Sequence, residues 1–301
     1  MGGAVEPAGQ AGDEARAGGR VLRGEFPGGR WEVVSRRPAP PLRPFVRELF
    51  GYLEVSAGPV ARRELPSPAA VWILELGPPL KVVGREDGRV DAHPSGFVAG
   101  LDDGYTVTRH AGLMHGVQVY FTPLGARRVL GLPMHTLSRR VVALGDVLGK
   151  EGEQLAARLR EEPTWAARFA RLEAFLALRL AATPEAPREV AWAVGRLLAP
   201  GGHAVPVGAL ERELGWSPKR LIGQFQEHVG LPPKLVARLG RFDRLIQALK
   251  GERSAAWAEL ALAHGYFDQP HLVRDFRQFA GVPPTRWLRE HVPGLTSAPL
   301  E

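Results

Sequence analysis

The sequence predicts an α+β chain: a strand-rich N-terminal domain, sandwich or barrel-like, with a helical hairpin, followed by an all-α C-terminal domain. Three observations predict it. Between Trp31 and about Pro133, short alternating segments are separated by glycine and proline, the pattern of strands and turns. From about Leu137 to Ala199, leucine and alanine recur at helical spacing. In the C-terminal third, a whole segment occurs twice.

Composition sets the frame. The chain has 301 residues, 45% hydrophobic and 24% charged, ordinary for a globular protein with room for two or three domains. With no cysteine, disulfide scaffolds, thiolate nucleophiles and thiolate zinc sites are excluded. Lysine and arginine number 39 against 32 acidic residues, a net charge of +7. The first residues, rich in glycine and alanine, read as a flexible tail over 1–20. They lack the basic flank and apolar core of a signal peptide, and apolar runs elsewhere are broken well before the roughly 18 residues of a membrane span. A cytoplasmic protein without membrane contact is expected.

The N-terminal domain is placed at 21–195. A short helix is expected around "PFVRELFGYLE", and strands at "RWEVVSR", "AVWILELG", "LKVVG" and "HGVQVYF". Trp72, Glu75, Tyr105, Arg109, His110, His115, Gln118 and Tyr120 are the polar and aromatic residues that could converge in a small-molecule pocket. His93, His110, His115 and His135 raise the alternative of a metal-dependent enzyme, but they form neither an H-x-H pair nor an H-E-x-x-H helix. Serine nucleophile elbows and phosphate-binding glycine fingerprints are missing. No catalytic residue, metal or cofactor is therefore assigned.

The following region reads as helices in "LSRRVVALGDVLGKEGEQLAARLR" and "TWAARFARLEAFLALRLA". Trp165, Phe169, Leu172, Leu176 and Leu180 make one apolar stripe, which suits a hairpin packed within the domain or a homodimer seam. "AATPEAPRE" breaks the helices, and "LLAPGGHAVP" reads as a linker into a C-terminal domain at 200–292, with a tail at 293–301.

The repeat comprises "VGALERELGWSPKRLIGQFQEHVGLPP" and "WAELALAHGYFDQPHLVRDFRQFAGVPP", offset by 50 residues before the turn and 51 after it. Leu210 falls on Leu260, Gly215 on Gly265, Leu221 on Leu272, Phe225 on Phe276, and Gly230-Leu231-Pro232-Pro233 on Gly281-Val282-Pro283-Pro284. Each copy is a short amphipathic helix, a glycine turn, a second helix and a glycine-proline stop. Leu210, Leu214, Leu221 and Phe225 should close the first unit, and Leu260, Leu272, Phe276 and Phe279 the second. This is the pattern of a helix-turn-helix, whose second helix can lie in a major groove. A helical solenoid is the alternative, but two copies are few for one. The segment between them, "PPKLVARLGRFDRLIQALKG", reads as a helix that fixes their separation. Residues 219–253 hold 8 basic and 3 acidic residues, and 270–289 hold 4 and 1. Both are candidate phosphate-facing surfaces.

The spacing and identity of "GWSPKRLIGQF", "ARLGRFDRLIQAL" and "AELALAHGYFDQPHLVRDFRQFAGVPPTRWL" resemble the paired DNA-binding region of the AraC/XylS family of bacterial transcriptional regulators. In the second copy the match runs through Ala261, Gly265-Tyr266-Phe267-Asp268, Leu272-Val273-Arg274-Asp275-Phe276, Gly281-Val282-Pro283-Pro284 and Trp287, the last where the family usually has tyrosine. The resemblance implies groove-facing positions at Lys219, Ile222 and Gly223 in the first recognition helix and Pro270, His271 and Arg274 in the second, with Arg220 on the backbone. Gly223 stands where a long side chain often reaches the bases, and Pro270 cannot make the usual polar contact. Base reading should then rest on His271 and Arg274. Residues 31–180 loosely resemble the family's N-terminal sensory or dimerising domains.

The expected function is sequence-specific binding of double-stranded DNA by a transcriptional regulator, activator or repressor. Its further partners would be a small-molecule effector, a second copy of the chain and, for an activator, RNA polymerase. The alternative is a helical protein-interaction module that reads no sequence.

Overall fold

The computed structural model describes residues 19–26, 28–85, 87–199, 205–249, 256–290 and 298–299. Residues 1–18 of the expected N-terminal tail lie outside them, as does the expected C-terminal tail apart from Ala298–Pro299.

The N-terminal domain is built from two antiparallel sheets. The larger comprises β1 (Arg20–Phe26), β2 (Gly29–Arg36), β3 (Val46–Ser56), β5 (Val71–Glu75), β8 (Phe97–Ala99), β10 (Leu113–Phe121) and β11 (Val141–Ala143). Its order is β1-β2-β3-β10-β5-β8-β11. The smaller runs β12-β4-β9-β6-β7, from β4 (Val60–Glu64), β6 (Lys81–Val83), β7 (Val90–Ala92), β9 (Thr106–His110) and β12 (Ala298–Pro299). The four segments predicted as strands are β2, β5, β6 and β10.

The helix expected around "PFVRELFGYLE" is instead β3, preceded by a 3-10 turn at Pro40–Leu42. Leucines and aromatics at three- and four-residue spacing imitate a helix there, but pairing with both β2 and β10 decides the backbone. Gly51 sits at the centre of this strand because the Trp165 ring covers it, and a Cβ there would lie 2.4 Å from the indole. The tail expected at 1–20 also gives way at its end, since Arg20 begins β1.

Alternation gives the large sheet two unlike faces. Val34, Leu49, Trp72, Leu74, Val117, Val119 and Phe121 form one face and belong to the main core. Against it packs the hairpin of α2 (Leu144–Glu161, interrupted at Gly149 with φ 57°) and α3 (Trp165–Ala182). Phe169, Leu172, Leu176 and Leu180 of the apolar stripe are buried in this core, and Trp165 packs against Phe169 with its indole N–H donating to Glu32 at 3.0 Å. The stripe is therefore a hairpin seam within the domain and is not free to pair with a second copy. The other face looks towards the small sheet, where Ile73, Phe97 and Leu80 meet Val82 in a second cluster.

α1 (Gly125–Leu130) follows β10, and α4 (Arg188–Leu198) leads into the C-terminal helices. These are α5 (Val207–Leu214), α6 (Pro218–His228), α7 (Pro233–Leu249), α8 (Trp257–Ala263), α9 (Gln269–Ala280) and α10 (Pro284–Glu290). α4 packs on α7, with Leu198 filling the space beside Gly240. The N-terminal domain is thus β-rich with helices and the C-terminal domain is all-α with two helix-turn-helix units. Among the described residues, no helix is long and apolar enough to cross a membrane.

Candidate nucleic-acid interface

The first unit is α5, a turn at Gly215 and α6. Gly215 adopts φ 64°, a left-handed conformation that costs glycine little, and its N–H closes the end of α5 on Arg212. Ser217 then caps α6 by accepting the N–H of Arg220 at 3.3 Å, and Pro218 occupies the first turn, where no internal amide bond is lost. Leu210, Leu221 and Phe225 are fully buried and Leu214 packs against them, as the spacing predicts.

The opposite side of α6 is open. Lys219, Arg220, Ile222 and Gly223 are all exposed. A side chain built at Gly223 would meet nothing within 4 Å. The Arg220 guanidinium lies 4.5 Å over the buried Trp216 ring, which steadies it beside the helix. Gln226, also exposed, continues the line of Lys219, Ile222 and Gly223 at helical spacing. The resemblance did not include it, although the i+7 position from Lys219 points to it.

The second unit repeats this design. Gly265 turns at φ 78°, and Asp268 caps α9 by accepting the N–H of His271 at 2.8 Å. Leu272, Phe276 and Phe279 are fully buried and Leu260 packs beside them. Phe276 and Phe279 close on Phe242 of α7 at 5.3 and 5.0 Å. Pro270 and Arg274 are exposed. His271 is half-buried, edge-on to Tyr266 at 5.3 Å, with its Nδ1 accepting the N–H of Phe267 at 3.4 Å. A neutral imidazole bound so carries its proton on Nε2, which is then the atom able to donate. Arg277, one turn beyond Arg274, is exposed on α9 and was not singled out by sequence. Trp287 is wholly buried, 5.8 Å from Phe276, so its indole belongs to the core.

α7 ties the two units together. Its Arg238 reaches the buried Asp275 of α9 at 2.7 Å and Gln278 at 2.6 Å, and Arg241 lies 3.6 Å from the other Asp275 oxygen. α7 thus holds α9 by charge as well as by the aromatic cluster.

Both units also touch the N-terminal domain. Glu227 of α6 pairs with Arg127 of α1 at 2.7 Å, and the Ser138 hydroxyl donates to the Gly230 carbonyl. Tyr105 packs under Gly281, so closely that a Cβ there would fall 2.2 Å from its ring, and Arg63 lies 3.8 Å from Glu290.

The residues expected to converge in an N-terminal pocket do not all do so. Trp72 and His115 face the helical hairpin, against Phe175 and Trp165, because their strand positions have the opposite parity. Tyr105 lies at the domain junction and Arg109 is exposed. Glu75, Gln118 and Tyr120 share the inner face of the large sheet, and His110 joins them from β9. Sequence reading missed Tyr52, which the register puts beside Gly116 and Glu75 in one row. The Tyr52 hydroxyl and Glu75 Oε2 are buried without a hydrogen-bond partner among the described residues. Burial pushes the Glu75 carboxyl up to about 8, against a hydrogen bond from the Leu80 N–H that lowers it. Next to them Arg62 pairs with Glu54 at 2.5 Å, with His110 at 3.3 Å from the same carboxylate. Burial would raise Glu54, but the neighbouring His110 and the hydrogen bonds from Arg62 outweigh it and hold that carboxyl below its ordinary range. The four histidines weighed as metal ligands are dispersed: His93 lies against Phe97, His110 by Glu54, His115 on Trp165 and His135 near Glu227.

A family profile described as a helix-turn-helix domain matches residues 210–290, and one described as a domain of unknown function (DUF6597) matches residues 35–143. No curated protein matches the chain. Among solved structures, ToxT from Vibrio cholerae is 9% identical, covering 88% of this chain and 98% of its own, with a TM-score of 0.43. ToxT with a bound unsaturated fatty acid, from the same organism, is 9% identical over 89% and 97% of the two chains, with a TM-score of 0.44. The AraC-like transcriptional activator CuxR is 19% identical over 78% and 89%, with a TM-score of 0.29. Residues 210–290 thus form a helix-turn-helix domain, on the evidence of both their geometry and the profile that matches them.

Proposed function

We propose that the chain is a transcriptional regulator of the AraC/XylS type that binds double-stranded DNA in a sequence-specific manner, with α6 and α9 in successive major-groove segments. One observation carries this reading: two recognition helices, each capped at its first turn and apolar on its inner side, present Lys219, Ile222, Gly223 and Gln226, and Pro270, Arg274 and Arg277, outwards from one shared linker helix. Arg274 has the fork of donors that suits guanine, and His271 can donate from Nε2 to a base or phosphate. Lys219 and Arg220 suit phosphate, which positions the protein without reading sequence. The domain limits 21–195 and 200–292 and a cytoplasmic location accompany this reading.

Effector control would use the row Tyr52, Gly116 and Glu75 with the neighbouring Glu54, Arg62 and His110. Buried polar atoms without partners cost free energy that a ligand able to pair with them would recover. A homodimer would need a face other than the buried α3 stripe. An activator would also contact RNA polymerase.

Selection of bound duplexes from a random pool tests the reading. Two short preferred blocks about one helical turn, roughly 10 base pairs, apart support it. A pool that stays random after selection opposes it. The exposure of Phe267 (85%) and Leu262 (68%) beside α9 favours a second reading, a protein-docking module, which would give that random pool.

A further inference from the structure

At one end of the large sheet, where β2 runs out at Arg36 and β3 begins at Val46, lies an open cleft of about 500 Å³. Arg20, Ser35, Arg36, Arg37, Arg47 and Glu48 line it. Register places Arg20 directly across from Ser35, so both stand on the same face. Four arginines therefore border the cleft beside one carboxylate, Glu48, although the Arg36 guanidinium is turned to the other face of the sheet, towards α3.

Two of the four are engaged. Arg36 pairs with Glu173 of α3 at 2.9 Å and lies over the Phe169 ring. Arg47 lies 5.2 Å over Tyr120 and reaches Asp243 of the linker helix α7 at 3.4 Å. That contact is long and partly exposed, so it is weak by the standard of Arg–carboxylate pairs. Arg20 and Arg37 are exposed and have no ion-pair partner among the described residues. Cations gathered in a concave site repel one another and focus a positive potential, which an anion relieves. The planar guanidinium fork matches phosphate and carboxylate oxygens two at a time.

We propose that this cleft binds a small multivalent anion bearing phosphate or carboxylate groups, and that the anion competes with Asp243 for Arg47. The cleft is a shallow, open depression, and its lining lies at and just beyond the ends of β1, β2 and β3 of the N-terminal domain, not on the outward faces of α6 or α9. Among the described wall residues, Arg47 is the one that also reaches α7, at Asp243. Occupancy thus releases a tie between the N-terminal domain and the helix that sets the separation of the two recognition helices.

Titration calorimetry on the full chain without DNA, at constant ionic strength, tests this with pyrophosphate and with citrate. The expected result is saturable one-site binding of at least one of them, and the tighter of the two identifies the group recognised. The double variant Arg20→Gln/Arg37→Gln, at exposed positions that should not disturb folding, should bind at least tenfold more weakly. Asp243→Asn, which removes the competitor, should bind severalfold more tightly. Absence of saturable binding by both anions, or unchanged binding by the double variant, overturns the site; an unchanged affinity in Asp243→Asn overturns the competition. Loss of duplex affinity by the double variant in buffer free of both anions would make the cleft part of the DNA contact and also overturn it. None of the calorimetric outcomes depends on whether the chain reads a DNA sequence.

Discussion

Asp275 of α9 is buried and receives Arg238 of α7 at 2.7 Å. The pair means that α9 is not merely propped by its own unit but is locked to the element that joins both units. Removing the carboxylate leaves Arg238 and Arg241 facing each other without their counter-charge. Asp275→Ala should therefore destabilise the C-terminal domain by about 2–4 kcal/mol, the lower end reflecting the partial exposure of Arg238. Denaturant unfolding of the variant checks this. Asp275→Asn should lose less, since an amide oxygen can still accept from Arg238.

Gly281 ends α9 at φ 70° with the Tyr105 ring packed against it. Gly281→Ala meets two costs: the left-handed conformation, roughly 1 kcal/mol, and displacement of Tyr105. Adding Tyr105→Ala should remove the second cost while leaving the first. A double-mutant cycle on thermal stability would then show positive coupling between residues of different domains. Strict additivity would mean that the two domains do not touch there in solution.

The inner row of the N-terminal domain makes a pH prediction. Glu75 ionises at about 8 in the folded chain, because of burial, against an ordinary 4.5. A carboxyl raised on folding stabilises fully below its unfolded value and loses that stabilisation as pH rises through the folded one. Stability should therefore fall between about pH 4.5 and pH 8. Glu75→Gln should flatten this slope and raise stability at pH 7 by roughly 2–3 kcal/mol. Thermal melts across that range would measure both effects.

Gly223 is exposed on α6 with open space where a side chain would stand. Replacing glycine within a helix by arginine gains roughly 0.5–1 kcal/mol of helix propensity and adds a phosphate- or base-directed cation. Gly223→Arg should tighten duplex binding and steepen its salt dependence by about one ion, as read from affinities at several salt concentrations.

The C-terminal domain was legible because its signals are local. Ser217 and Asp268 stand one position ahead of their helices, Gly215 and Gly265 mark the turns, and the leucine and phenylalanine four apart fix the inner side. The N-terminal domain was legible only as alternation. Phe50, Tyr52 and Leu53 could equally have marked a helix, and their true partners lie on β2 and β10, remote in sequence. The α3 stripe announced burial without saying against what. The contact of Tyr105 with Gly281 and the row of Tyr52 with Glu75 arise from tertiary register, which no local pattern encodes. His115 and Trp72 were misplaced for the same reason: strand parity assigns their face, and one sequence does not show which face looks inwards.

Competition binding with genomic fragments and the Arg274→Ala variant tests the central claim most directly. The account predicts that wild-type protein retains a specific fragment under excess competitor duplex, and that Arg274→Ala weakens that complex by about 1–3 kcal/mol while relaxing its base preference. Equal, weak and salt-sensitive binding to every duplex, unaffected by Arg274→Ala, would contradict it.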